Sequence, residues 1–135
     1  MRVKLLTLLV SVAMLAACSS TSTPDLTLIM ILYCGDDGNA CRMHDDNQCA
    51  GRGRFNDLGD DRDIVIENDS GKQLSKHEMD YGQFDDVNNT CMFSETIRMQ
   101  STSRYNIFIG DFGPYQIMKL ALEDQNWTTV WEFNN

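Results

Sequence analysis

The chain has 135 residues, of which 20 are Asp or Glu and 11 are Lys or Arg, for a formal net charge of −9. That acidity repels phosphate backbones and excludes nucleic acid as a partner. With 42% hydrophobic residues the chain can build one core of ordinary size, and no internal repeat divides it.

In chain order, Arg2 and Lys4 form a short basic segment, and Leu5 to Ala13 is apolar apart from Thr7 and Ser11. The run falls short of the roughly 20 apolar residues that a permanent membrane-spanning helix needs, so it has the profile of a secretion signal. Its end, Leu15-Ala16-Ala17-Cys18, resembles the lipobox of bacterial lipoproteins at all four positions. Small residues admit the signal peptidase, and the Cys18 thiol is the group that accepts diacylglycerol. The competing reading is an ordinary signal with a chance cysteine near its end. The lipobox implies that residues 1–17 are removed and that Cys18 carries the lipid anchor on the extracytoplasmic face of a cell membrane. Each buried CH₂ of the acyl chains contributes about 0.8 kcal/mol to such anchoring. Residues 18–25 (Cys18, then Ser19-Ser20-Thr21-Ser22-Thr23-Pro24-Asp25) cannot bury apolar surface and read as a flexible tether, which leaves residues 26–135 as a single domain. Without the first 17 residues, nine Lys and Arg face 20 Asp and Glu, a charge of −11. Such a surface disfavours lying flat on anionic lipid. The acyl chains are therefore expected to do the membrane work, with the domain held away from the bilayer and its acidic surface outward.

Leu28 to Leu32 is a short apolar run bounded by Pro24 and a Cys-Gly-Asp-Asp turn signal, which reads as a buried strand. After Cys18 the chain holds Cys34, Cys41, Cys49 and Cys91. An even number in an exported domain implies disulfides, and four cysteines allow three pairings. Cys34 and Cys41 flank a loop, Gly35 to Ala40, that can turn the chain back on itself. Cys49 with Cys91 would close a loop of about 40 residues, for which chain entropy gives about 4 kcal/mol. The favoured set is Cys34–Cys41 with Cys49–Cys91. A zinc site from Cys34, Cys41, His44 and Cys49 competes, but it lacks the tight Cys-x-x-Cys knuckle and strands Cys91 in an oxidising compartment.

The remainder reads as β. Asp63 to Glu67 is β-branched and followed by the turn Asn68-Asp69-Ser70-Gly71, and Lys72 to Met79 returns as a weaker strand. Cys91 to Met99 alternates imperfectly, whereas Tyr105, Ile107 and Ile109 alternate cleanly. Tyr115 to Met118 is a further short run, Leu120 to Gln125 is a helix of about two turns, and Trp127 to Phe133 is a final strand. The pattern predicts an all-β sandwich of six to eight strands with one short helix.

Cys49-Ala50-Gly51-Arg52-Gly53-Arg54-Phe55-Asn56-Asp57-Leu58 resembles the Cys-x-Gly-x-Gly-Gly-Tyr-x-Asp-Ile segment of a group of small exported bacterial proteins, many of them actinobacterial. In that group a strand, an Asp-x-x-Gly turn, a Cys-x-Phe strand, a Tyr-x-Val-x-Ile strand, an acidic helix and a Trp strand follow. Here the matching parts are Ile64 to Ile66, Asp69 to Gly71, Cys91 to Phe93, Tyr105 to Ile109, Leu120 to Asp124 and Trp127 to Phe133. The resemblance covers roughly residues 49–133. It departs at Arg54, where the group has Gly, and in the extra Cys34–Cys41 pair. It implies a sandwich, export and the pairing Cys49–Cys91, but no activity. The order of parts also looks like transthyretin-like and immunoglobulin-like accessory domains.

Candidate chemistry is sparse. Asp57, Asp60, Asp61 and Asp63 crowd one loop and are the candidate ligands for Ca²⁺, which takes six to eight oxygens. The spacing does not fit the EF-hand template. Asp36-Asp37, Asp45-Asp46 and Asp85-Asp86 read as solvated loop charge. Paired carboxylates suit glycoside hydrolysis, but nothing in the sequence fixes two of them in a cleft. His44 and His77 read as surface residues, and no Gly-x-Ser-x-Gly elbow accompanies them. Tyr105, Phe108, Trp127, Trp131 and Phe133 offer a sugar-binding face, but at strand spacing they read as core. The expected function is non-catalytic: a binding module for another envelope protein or a cell-wall component. The alternatives are a phage-encoded lipoprotein that blocks superinfection and, less in keeping with the residues, a small metal-dependent hydrolase.

Overall fold

The structure, a computed structural model, describes residues 24–134. Cys18 and the signal before it lie outside the described residues. Ten strands and one helix follow in order: β1 Leu26–Tyr33, β2 Cys41–Met43, β3 Gln48–Gly51, β4 Asp63–Glu67, β5 Gln73–Glu78, β6 Gly82–Asp85, β7 Thr90–Ile97, β8 Arg104–Ile109, β9 Phe112–Met118, α1 Lys119–Asp124 and β10 Thr128–Phe133. They form a six-stranded sheet, β10-β1-β7-β6-β3-β2, and a four-stranded sheet, β5-β4-β8-β9. The expected all-β sandwich with one short helix is what forms, but with ten strands among the described residues rather than six to eight. The additional ones, β2, β3 and β6, have only three or four residues. Their pairing comes from distant partners, so no local pattern marks them.

Side chains alternate across the pleat, and the two inner faces make the core. Leu26, Leu28, Met30 and Leu32 of β1 are fully buried, as are Ile64 and Ile66 of β4 and Tyr105, Ile107 and Ile109 of β8. Burial of each large apolar side chain is worth roughly 1.5–3 kcal/mol. β1 is the buried strand expected from Leu28 to Leu32, with one face fully buried and Ile29 and Ile31, on the other, half-buried.

Both expected disulfides are present. Cys34–Cys41 closes the loop after β1, and Cys49–Cys91 joins β3 to β7. With all four thiols bonded to one another, a zinc site from Cys34, Cys41, His44 and Cys49 has no thiolates to use. Gly82 of β6, the strand between β3 and β7, lies beside the second bridge. A Cβ there would sit 2.7 Å from Cys91 Sγ, so glycine leaves room for the sulfur.

The chain from Gly51 to Leu58 curls under the six-stranded sheet. Phe55 and Leu58 are buried there, and the Gly51 amide donates to the Leu58 carbonyl at 2.9 Å. A Cβ on Gly51 would lie 1.8 Å from the Phe55 carbonyl oxygen, whereas Gly53 has open space but a φ of +64°. The two glycines of this segment thus answer different needs, one close approach and one left-handed backbone.

Candidate functional site

The acidic loop does not converge. Asp57 Oδ2 accepts the Asp111 amide at 2.7 Å and ties the loop to the β8–β9 turn, while its Oδ1 lies 3.7 Å from Arg62 Nε. Asp60 accepts from the Tyr81 hydroxyl at 2.6 Å and from Arg42. Asp63 pairs with Lys76 at 3.1 Å, and Asp61 is exposed. Among the described residues no group of three or more His, Cys, Asp or Glu side chains is placed to share a metal ion. Asp57, Asp60 and Asp63 are thus each engaged by a separate partner, and Asp61 faces solvent.

Asp60 is the centre of a small polar cluster that sequence reasoning missed. His44 stacks on Tyr81, with ring centroids 4.5 Å apart and planes 3° from parallel. The Tyr81 hydroxyl, and after it Arg42, holds the Asp60 carboxyl below the usual carboxylate range, and Asp60 in turn pushes the Tyr81 phenol up. Because the folded-state value is depressed, the carboxylate stabilises the fold above its unfolded pKa. That contribution disappears as pH falls through the depressed value. The Tyr81→Phe variant is therefore expected to be destabilised at neutral pH, with the deficit shrinking once pH drops below the ordinary carboxylate range. Urea unfolding at several pH values measures this; a deficit unchanged at acid pH would contradict it.

A second missed pair links the sheets. Glu95 of β7 is 5% exposed and points inward, in line with Cys91, Phe93 and Ile97. Its Oε2 lies 2.7 Å from His77 Nε2 of β5, and its Oε1 accepts the Asp80 amide at 3.0 Å. His77 is thus a half-buried partner of an interior carboxylate rather than the surface residue expected. The period of two from Cys91 was the available signal. His44 is exposed, as expected.

The aromatics do not form a sugar platform. Tyr105 and Phe133 are buried, and Trp127 and Trp131 pack against the core, with Trp131 4.7 Å from Tyr115 between ring centroids. Phe108 is half-buried on the opposite side of β8 from Tyr105.

Among the hollows lined by the described residues, two bear on the candidate sites. One, of about 390 Å³, is lined by Arg54, Asn56, Asp57, Arg62, Asp111 and Phe112, so its charges offset one another. Arg54 also donates to the Asn134 carbonyl at 2.8 Å and lies over the Phe55 ring. The other, of about 360 Å³, lies on the outer face of the six-stranded sheet, with Ile31, Phe84, Asp85 and Met92 among its lining. Neither contains a histidine.

The second hollow belongs to a larger band. On the outer face, Ile29 pairs with Val130 on one side and Ser94 on the other, and Ile31 pairs with Glu132 and Met92. Met92 is 44% exposed and Val130 52%. Thr27 stands between Thr128 and Thr96 in the next row. Across β10, β1 and β7 this face carries one charge, Glu132, on a chain with 20 acidic residues. Comparison with family models, with characterised proteins and with solved structures found no match to this chain.

Proposed function

We propose that the chain is an exported lipoprotein, anchored through Cys18, whose domain is a non-catalytic binding module. Its docking surface is the outer face of the six-stranded sheet, and its partner is another protein of the envelope. The observation that carries the reading is the uncharged band of Ile29, Ile31, Met92 and Val130, contiguous across three strands. Contiguous exposed apolar surface on a soluble domain marks interaction sites. An otherwise acidic molecule that keeps all charge but Glu132 off the outer faces of β10, β1 and β7 lowers the desolvation cost of docking there.

A photo-cross-linking residue at position 92 is expected to give a discrete product on intact cells, and one at position 65, on the other sheet, is expected to give none. Val130→Glu should abolish the product at 92. Equal products from both faces, or a product indifferent to Val130→Glu, would sink the docking assignment. The anchor is tested separately: Cys18→Ala that remains membrane-bound and lipid-labelled removes it.

A further inference from the structure

The acidic charge of this chain is unevenly placed. β1 begins at Leu26, where its register sets Leu26 beside Ile97 and Thr27 beside Thr128. The Thr27 amide donates to the Trp127 carbonyl at 2.8 Å. α1 connects Met118 to this same end of the sandwich, and the Lys119 amide donates to the Ser103 carbonyl. Arg104 pairs with Met118, and Asp69 of the β4–β5 turn lies 3.7 Å from Arg104. The pole at which the tether enters therefore gathers Arg98, Arg104, Lys119 and Lys72, four of the mature chain's nine cations. Against them stand only five of the 20 acids: Asp25, Glu67, Asp69, Glu123 and Asp124. This end is close to neutral, and the remainder of the domain carries nearly all of the −11.

The same pole exposes apolar side chains. Leu120, on the first turn of α1, is 71% exposed, and Met118 beside it 46%. Arg98, whose side chain is 91% exposed, reaches Asp25 only at 3.8 Å, and Lys119 reaches Glu123 at 3.8 Å. Ion pairs so exposed are weak and give way to a competing phosphate.

Resting on the lipoprotein reading, we infer that this pole is a membrane-contact surface. Leu120 and Met118 seat in the interface of the leaflet that holds the acyl chains, and Arg98, Arg104 and Lys119 meet lipid phosphates. The length of chain before the domain selects that occupant. The eight residues from Cys18 to Asp25 can reach at most about 28 Å. The pole where the tether enters is thus the part of the domain nearest the bilayer, with the opposite end of β1 a further strand length of about 26 Å away. Repulsion of the acidic remainder from anionic lipid turns the domain the same way. The domain then stands on the membrane rather than floating above it.

The test uses the full mature lipoprotein inserted through its own lipid into vesicles of phosphatidylcholine and phosphatidylglycerol, with the phosphatidylcholine brominated. Leu120→Trp and Val87→Trp are compared; Val87 is 87% exposed on the β6–β7 turn, at the opposite end of β7. Emission from Leu120→Trp is expected to fall at least twofold more than emission from Val87→Trp. Labelled palmitate on the same preparations reports the anchor. A chain that carries lipid but shows equal quenching at both positions overturns this inference alone. A chain that carries no lipid overturns the reading beneath it.

Discussion

The double variant Cys49→Ala/Cys91→Ala is expected to melt about 17 °C below the parent. The bridge closes a separation of 42 residues, for which chain entropy gives about 4 kcal/mol. A domain of about 110 residues loses near 0.23 kcal/mol of stability per degree around its midpoint. The bridge also fixes β3, a four-residue strand, to β7 across the sheet, so its loss releases an element with little else to hold it. The Cys34–Cys41 bridge closes a separation of only seven, and its removal is expected to cost about 2.4 kcal/mol, or roughly 10 °C. Calorimetry on both double variants checks the order. A larger loss from the short bridge would show that loop closure does not govern the effect.

Gly51→Ala is expected to cost more than 3 kcal/mol, against about 1 kcal/mol for Gly53→Ala, though the two glycines are neighbours in one segment. At Gly51 the added carbon would lie 1.8 Å from a backbone oxygen, and no side-chain rotation relieves that. Gly51 is held from both sides, paired with Cys41 and donating to Leu58, so the segment has to lift away. Lifting it uncovers Phe55 and Leu58. At Gly53 the space is open, and only the left-handed backbone is penalised. Thermal unfolding combined with trypsin cleavage at Arg52 and Arg54 reads both effects. Equal losses from the two substitutions would show that close packing beneath the sheet is not the constraint.

Much of the fold was legible because period-two burial is a local property. Ile64 with Ile66, and Tyr105 with Ile107 and Ile109, announced two strands of the smaller sheet, and Asn68 to Gly71 announced the turn between β4 and β5. The short strands were not legible, because Cys41–Met43 and Gly82–Asp85 are strands only by virtue of partners far along the chain. The pairing of cysteines followed from loop geometry and from the resemblance together. Site residues were read less well. Clustered aspartates suggested a shared ligand, yet each of Asp57, Asp60 and Asp63 found its own donor across the fold. Glu95 was hidden because a carboxylate at an inward position contradicts the rule that makes strands readable. Its partner His77 lies 18 residues earlier, on the other sheet.

The parallel pairing of β1 with β10 has a mechanical consequence. β1 lies between two neighbours, paired over eight positions with β7 and over six with β10. Under the proposed anchoring, tension on the tether acts along the axis of β1. All of these pairings then resist together in shear, instead of opening one after another as at a peeled edge. A partner gripping the outer face and pulling away from the membrane would load the strand best placed in the fold to bear it.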